Sequence, residues 1–388
     1  MNESAALDEI VEHRHIAVCC GTGGVGKTTT AAALAIEAAR RGRNAVVVTI
    51  DPAKRLADTL GLDRLTDTPR VIDRSIWAGG SASGATPGAV AAQPNGQLSA
   101  LMLDTKSTFD GLVTRYAVNE EQAQRILDNG FYRNVSGALG GTQEYMAMEK
   151  LHELHAEGGY DLIVVDTPPS RHALDFLDAP ARLLRLLDNR MFRLLMMPAR
   201  TYMRVAGIAL QTFLRTVSRV VGREVIDDII AFFQAFEGME AGFRERASNV
   251  QVLIDDPETA FVLVTSPRRD ALDEAMFFAD RLHENELHVA ALVVNRVHPE
   301  LGHDDPVALR DLSTRVDDPA LAAGLENLAD FRTIAIAERT AVAELQSRIE
   351  SSAVAFVPLL DHDVHDVEAL TAVGRYLVTG ASAGAARR

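Results

Sequence analysis

Residues Gly21 to Thr28 read Gly-Thr-Gly-Gly-Val-Gly-Lys-Thr and match the phosphate-loop spacing G-x-x-x-x-G-K-[ST]. Glycines allow successive backbone N–H groups to converge on an anion, and a helix that begins at the loop adds the positive end of its dipole. The apolar run Ile16–Cys20 precedes the loop, and a helix-forming Thr/Ala-rich run follows it. This strand–loop–helix order predicts a site for a nucleoside triphosphate.

Within this loop the side chains have separable tasks. We expect Lys27 to reach the β- and γ-phosphates and to act in catalysis, and the Thr28 hydroxyl to bind Mg²⁺. The remaining contacts to the phosphates are expected from the loop itself. The predicted nucleotide-binding residues of this segment are Gly23, Gly24, Val25, Gly26, Lys27, Thr28 and Thr29.

Two aspartates each follow an apolar run: Asp51 comes after Ala45–Ile50, and Asp166 comes after Leu162–Val165. A carboxylate at the carboxyl end of a buried strand lies beside a phosphate site, where it can hold Mg²⁺ or orient the attacking water. The predicted Mg²⁺ ligands are therefore Thr28, Asp51 and Asp166. For Asp51, a purely structural role as a helix N-cap or turn residue is the alternative.

Short apolar runs alternate with helix-length segments along most of the chain, which indicates an α/β fold with a mostly parallel sheet covered by helices on both faces. The predicted strands are Ile16–Cys20, Ala45–Ile50, Leu162–Val165, Phe261–Thr265, Val289–Val294 and Val354–Pro358.

Two segments interrupt this alternation. Residues 79–97 are rich in Gly, Ala, Ser and Pro and are expected to form a flexible insert. Residues 181–252 have no strand-like run and are expected to form an inserted α-helical subdomain. The nucleotide-binding domain would then consist of residues 1–180 and 253–388.

Net charge, cysteine content and the length of the apolar runs indicate which partners and which compartment to expect. The formal net charge of -15 disfavours non-specific nucleic-acid binding, because an acidic surface repels a phosphate backbone. The two cysteines, Cys19 and Cys20, are adjacent in a predicted strand, so they cannot form an ordinary disulfide and suit a reduced, cytoplasmic protein. No run of apolar residues is long enough to predict an integral membrane segment.

The phosphate loop and two further motifs carry a resemblance to a known family. The loop, the segment Asp51-Pro52-Ala53-Lys54-Arg55-Leu56 and the segment from Asp166 to Leu174 (DTPPSRHAL) resemble the phosphate loop and two switches of the deviant Walker A ATPases. The resemblance is to the arsenite-pump and tail-anchored-protein targeting ATPases, in an actinobacterial "anion-transporting ATPase" branch. It covers nearly the whole chain and implies the fold of P-loop NTPases.

The resemblance implies ATP with Mg²⁺ as cofactors, ATP hydrolysis with Asp51 orienting the attacking water, and a dimer that couples nucleotide state to a cargo. It also implies that Asn295 reads the adenine edge and that Pro358 and Leu359 pack on the ring. A turn cap is the alternative for Asn295. The chain has no Asn-Lys-x-Asp guanine motif, which favours ATP over GTP. The cargo could be a protein, a lipid-like molecule or a small anion.

The sequence departs from the family at the position of its signature lysine, which crosses the dimer interface: here that residue is Thr22. We therefore expect either a homodimer or, preferably, a heterodimer with a lysine-bearing paralogue. The adjacent cysteines do not match thiolate sites for arsenite or zinc. In residues 181–252, Met191, Met196, Met197 and Met203 either fill a core or line an adaptable apolar groove.

Three other functions stay open at this point. The chain could be a regulatory nucleotide-binding subunit with little turnover, which Thr22 favours. It could be a partition- or division-type positioning ATPase, although the acidic charge and the short Gly/Ala-rich tail disfavour DNA or membrane binding. A small-molecule kinase or ligase is a further alternative, but no acceptor motif supports it.

Overall fold

The computed structural model describes residues 5–51, 55–78, 96–135, 142–168, 172–190, 223–302, 304–349 and 353–379. The chain divides into two compact units. The first comprises Met1–Met102, Glu157–Leu174 and Pro257–Arg388, and the second comprises Leu103–Ala156 and Asp175–Asp256.

The first unit contains the sheet. Its strands in the described residues are β1 (Ile16–Gly21), β2 (Asn44–Thr49), β3 (Arg70–Val71), β4 (Gln97–Met102), β5 (Leu162–Asp166), β6 (Thr259–Thr265), β7 (Val289–Val297) and β8 (Val354–Pro358). They form one sheet in the order β3-β4-β2-β5-β1-β6-β7-β8. All neighbouring pairs are parallel except β3 with β4. The predicted mostly parallel sheet is therefore confirmed.

The helices among the described residues are α1 (Ala5–His13), α2 (Lys27–Arg40), α3 (Arg55–Thr59), α4 (Arg74–Trp77), α5 (Thr105–Tyr116), α6 (Glu120–Leu127), α7 (Gly130–Val135), α8 (Thr142–Glu157), α9 (His172–Asp188), α10 (Arg223–Ala235), α11 (Glu240–Asp255), α12 (Arg269–Glu284), α13 (Pro306–Ser313), α14 (Pro319–Arg348) and α15 (Val367–Thr379). None of these helices is long and apolar enough to cross a membrane.

The central strands are buried along their whole length. All six residues of β1 and all five of β5 are buried, so both faces of the sheet are covered at these strands. Helix α2 packs against β1, β2 and β5, and α12 packs against β1 and β6. Helix α2 contains a run of alanines with high helix propensity and little bulk, which lets it lie close to the sheet. The phosphate loop thus joins two rigid, buried elements.

Two strands were missing from the sequence prediction. Strand β4 pairs in parallel with β2, and the short β3 adds an antiparallel edge. The predicted flexible insert, residues 79–97, was wrong at its end, because Gln97 is the first residue of β4 and pairs with Asn44. A polar Gln97 and a buried polar Ser99 hid the strand from a search for unbroken apolar runs. Residues 79–95 lie outside the described residues.

In its described residues the second unit is helical, and its bounds are wider than those of the helical insert that the sequence predicts at residues 181–252. Leu103–Ala156, which precedes β5 in the chain, belongs to it as well. Aromatic rings hold the two stretches together: Tyr132 stacks on Phe232 with ring centroids 6.0 Å apart, and Phe109 lies 6.4 Å from Phe236. Residues 191–222, which include the four methionines of the predicted groove, lie outside the described residues.

Candidate functional site

A cavity of about 660 Å³ opens at the carboxyl edge of the sheet, and every residue that lines it belongs to the first unit. Such an edge is where ligands bind in open α/β sheets. The lining residues are Gly23, Gly24, Gly26, Lys27, Thr28, Thr29, Asp51, Arg55, Asp58, Thr59, Thr167, Asn295, Arg296, Pro358, Leu359, Leu360, His362, Asp363, Val364, His365 and Val373.

The glycines of the phosphate loop are required by its conformation. Gly24 and Gly26 have φ angles of 78° and 101°, a region that other residues rarely adopt. A Cβ on Gly26 would lie 2.2 Å from Nδ2 of Asn295, whereas a Cβ on Gly24 would meet no atom within 4 Å. The loop is therefore packed tightly against β7 at Gly26 and open at Gly24.

Lys27 is buried at the start of α2 with 7% of its surface exposed, and its Nζ donates a hydrogen bond to the carbonyl oxygen of Thr22 at 2.8 Å. Burial lowers the pKa of the Lys27 ammonium, while the negative charge of Asp166 opposes that shift. The Lys27 side chain thus lies over the phosphate loop and lines the cavity.

Asp166 links the ends of three elements. Its Oδ2 accepts hydrogen bonds from the Thr28 hydroxyl at 2.7 Å and from the Thr49 hydroxyl at 2.9 Å. Its other oxygen, Oδ1, is buried and has no hydrogen-bond partner among the described residues. Burial raises the pKa of Asp166 to about 6, although the two hydroxyl donors and the Lys27 charge act to lower it.

Asp51 lies just past the end of β2 and lines the cavity. Its backbone N–H donates to the Thr49 hydroxyl at 3.3 Å, so Thr49 connects the two aspartates. Thr167, the residue after β5, also lines the cavity, and its hydroxyl donates to the carbonyl oxygen of Cys19 at 2.8 Å.

The other side of the cavity comes from the ends of β7 and β8. Asn295 Nδ2 donates to the Val25 carbonyl oxygen at 2.8 Å, and Arg296 Nη1 donates to the Gly24 carbonyl oxygen at 3.2 Å. Pro358 and Leu359 form an apolar stretch in the same cavity, and Leu359 is about half exposed. Strand β7 thus contacts the phosphate loop directly, and the end of β8 lines the same cavity.

The structure gathers most of the residues predicted for the site around this one cavity. Two are not in its lining: Asp166 is buried and meets the site through Thr28, and the Val25 side chain packs in the core with 4% exposed. Thr49 was missed in the sequence, although a threonine two residues before an aspartate at a strand end could have indicated it. Arg296 was also missed as a site residue.

Thr22 is 8% exposed, so it presents no reaching side chain at the position of the family's signature lysine. The two cysteines are buried and not joined by a disulfide, and burial raises the pKa of Cys20 to about 12. Among the described residues no group of three or more His, Cys, Asp or Glu side chains is arranged to hold a metal ion.

A family model described as "Anion-transporting ATPase" matches residues 13–314. Among curated proteins, "ATPase GET3" of Phaeosphaeria nodorum is 26% identical over 282 residues, which cover 71% of this chain and 74% of the relative. "ATPase get3" of Aspergillus niger is 25% identical over 278 residues, covering 71% of each chain. "ATPase get3" of Pyrenophora tritici-repentis is 25% identical over 282 residues, covering 71% and 72%. Because the family model spans most of its length, the chain belongs to the anion-transporting ATPase family and is an ATPase.

Proposed function

We propose that the chain binds ATP together with Mg²⁺ in the cavity at the phosphate loop and hydrolyses it there. The observation that carries this proposal is the hydrogen bond between the Thr28 hydroxyl and Asp166, 2.7 Å long, at the foot of that cavity. A hydroxyl at the start of α2 and a carboxylate at the end of β5 are the pair that holds Mg²⁺ in P-loop enzymes.

The residues present fit a magnesium ion. Mg²⁺ takes oxygen ligands and keeps several waters, so it needs few protein ligands. The buried Oδ1 of Asp166, which lacks a hydrogen-bond partner among the described residues, can accept a hydrogen bond from a metal-bound water. When bound, the ion neutralises charge on the β- and γ-phosphates. The metal-associated residues in this proposal are Thr28 and Asp166, with Asp51 nearby.

Lys27 and the loop backbone bind the phosphates in this proposal. Lys27 gives up its hydrogen bond to the Thr22 carbonyl oxygen in exchange for a phosphate oxygen, which restores a charged partner to a buried ammonium. The N–H groups of Gly23 to Thr29 surround the anion at the N-terminus of α2. Asp51, at the end of β2 in the same cavity, orients the attacking water.

Asn295, Pro358 and Leu359 bind the nucleoside end. The Asn295 side chain is already held by two protein contacts, since Nδ2 donates to Val25 and Oδ1 accepts the Arg296 backbone N–H at 2.9 Å. An amide has two donors and two lone pairs, so one of each is left for a base edge. The same geometry fixes the amide in place before ATP arrives.

We further propose that the chain works as a dimeric switch that couples nucleotide state to a cargo. The segment after Asp166 continues in sequence into α9, whose residues from Asp175 belong to the helical unit. A change at the phosphate end of β5 could therefore be passed along the chain to the helices. The cargo is a protein, a lipid-like molecule or a small anion, and a pull-down with Asp51→Asn distinguishes these classes.

A second candidate is a subunit with little turnover of its own that pairs with a lysine-bearing paralogue. It is favoured by Thr22, which is almost fully buried and carries no charge. Size-exclusion chromatography and co-purification with such a paralogue test it. A heterodimer with higher turnover than this chain alone supports pairing, whereas a stable and fully active homodimer excludes it. A Thr22→Lys variant should raise turnover if the missing charge is the limiting feature.

The switch is tested by a pull-down with Asp51→Asn, in which ATP is expected to bind but to persist. The Lys27→Met variant, which should bind ATP poorly, is the matched control. The proposal predicts partners retained by Asp51→Asn with Mg²⁺ and ATP and absent from Lys27→Met. Identical partner sets from both variants would contradict a nucleotide-driven switch, while ATP turnover in the wild type tests the enzymatic part separately.

A further inference from the structure

Arg296 adopts a backbone conformation that arginine rarely takes. Its φ angle is 61°, and among the described residues Glu286 is the other non-glycine with a positive φ. The register between β7 and β8 shifts between Asn295 and Val297, as at a β-bulge. The side-chain oxygen of Asn295 accepts the Arg296 backbone N–H at 2.9 Å and so holds the bulge. Strain of this kind persists where the surrounding structure imposes it, often at binding sites.

The bulge changes the direction of a side chain. Consecutive residues of a regular strand point to opposite faces of the sheet. Here Asn295 and Arg296 are consecutive, yet both donate to the phosphate loop, to the carbonyl oxygens of Val25 and Gly24 respectively. Both also line the cavity. The strained residue thus brings a guanidinium to the site that a regular strand would have turned away from it.

The contacts of Arg296 indicate whether its side chain lies near the phosphates or near the nucleoside of a bound nucleotide. In a trans peptide the C=O and the following N–H point in opposite directions. The loop binds phosphates through its N–H groups, so its carbonyl oxygens face away from the anion. Because Arg296 donates to the Gly24 carbonyl oxygen, it lies on the side opposite the N–H of Val25. Asn295 donates to the next carbonyl oxygen of the loop, that of Val25, and Val297 is the register partner of Pro358. Arg296 therefore lies beside Asn295 and beside the end of β8.

We propose that Arg296 is a nucleoside-binding residue whose guanidinium packs on the base and ribose of ATP, an assignment that rests on the proposed ATP site. A planar guanidinium suits the flat face of an aromatic base. Its donation to Gly24 uses Nη1, and the other N–H groups have no partner among the described residues. Leu359 donates its backbone N–H to Val297 at 2.8 Å, so the apolar wall is tied to the same bulge.

The test is Arg296→Gly, because glycine adopts a positive φ without strain. The variant keeps the bulge and removes only the side chain, so its thermal unfolding temperature should equal or exceed that of the wild type. Affinities for Mg²⁺·ATP and for Mg²⁺·tripolyphosphate, which lacks base and ribose, are measured by calorimetry. We expect about a five- to thirty-fold loss of affinity for ATP, the range between an exposed and a desolvated cation–π contact, and no loss for tripolyphosphate.

Each other outcome is decisive. Unchanged ATP affinity in Arg296→Gly, or an equal loss for tripolyphosphate, would overturn the assignment. Arg296→Lys keeps the charge and the strain but not the planar group, so it should remain weakened toward ATP; full affinity in that variant would refute packing on the base. A wild-type chain that binds neither ligand would instead contradict the proposed ATP site itself.

Discussion

Replacing Asp166 by Asn tests the electrostatic state of the site most informatively. The carboxyl is 1% exposed, and burial raises its pKa to about 6 from an ordinary value of 3.8. Asparagine has the same shape and can still accept the hydroxyl hydrogen bonds of Thr28 and Thr49 through its amide oxygen. The substitution therefore removes the charge while it preserves the packing.

The direction in which stability changes with pH follows from proton binding at Asp166. Between pH 3.8 and about 6 the folded chain binds a proton at Asp166 that the unfolded chain does not, so stability falls as the pH rises through this window. At 1.36 kcal/mol per pH unit, the full loss is about 3 kcal/mol. Between about pH 5 and about pH 7.5, stability should still fall by roughly 1 kcal/mol. In Asp166→Asn this decrease of stability with rising pH should be absent.

The assay is urea unfolding without nucleotide or metal, followed by the fluorescence of Trp77. It is the single tryptophan of the chain, it is buried, and it belongs to the same unit as Asp166. The free energy of unfolding of Asp166→Asn minus that of the wild type should increase by roughly 1 kcal/mol between the two pH values. Asp273→Asn, at an exposed position of α12, controls for the loss of one carboxylate.

A constant difference between variant and wild type across this pH range would refute the argument that Asp166 carries a raised pKa. A difference that decreases with pH would reverse its sign and would mean that the ionised carboxylate is stabilised in the fold without a metal.

The remaining predictions concern the loop and the helical unit. Lys27→Met should weaken ATP binding about 10- to 100-fold, as expected for lost charge-assisted hydrogen bonds, when measured by calorimetry. Gly26→Ala should lower the free energy of unfolding by more than about 2 kcal/mol, because the φ angle is positive and the new Cβ would lie 2.2 Å from Nδ2 of Asn295. Gly24→Ala has a positive φ but open space around the new Cβ, so it should cost only about 1 kcal/mol. Both are measured by urea unfolding. Similar costs for both would contradict the packing described. Arg246→Ala leaves the buried carboxylate of Glu149 without the hydrogen bond, 2.5 Å long, that the Arg246 guanidinium donates to it. The variant should destabilise the second unit by about 3–5 kcal/mol, measured by unfolding followed by circular dichroism. A loss below about 1 kcal/mol would show that this ion pair contributes little to stability.

Much of the first unit could be predicted from the sequence, because its strands are unbroken apolar runs and its loop has a fixed spacing. The strand that ends at Asp166 is an example: burial on both faces leaves no place for polar residues before the aspartate. Strand β4 could not be found in this way, since Ser99 interrupts its apolar pattern although it is buried. One exposed and one buried polar residue, Gln97 and Ser99, are thus enough to conceal a strand from a search for apolar runs.

Some contacts of the site depend on how distant segments pair in the sheet. The hydrogen bond from Thr49 to Asp166 joins residues that are 117 positions apart, and it forms because β2 and β5 are neighbours in the sheet. The role of Arg296 depends on a bulge in the pairing of β7 with β8, which the sequence of β7 alone does not indicate. The joining of Leu103–Ala156 to the later helices likewise depends on long-range aromatic contacts.

The central claim is that Thr28 and Asp166 together hold the magnesium ion of bound ATP, and calorimetry with and without Mg²⁺ tests it most directly. In the wild type, Mg²⁺ should raise the affinity for ATP by at least about tenfold, equivalent to about 1.4 kcal/mol. In Thr28→Val and in Asp166→Asn, ATP should still bind without metal, but the gain from Mg²⁺ should be lost. A gain of equal size in the wild type and both variants would contradict the claim.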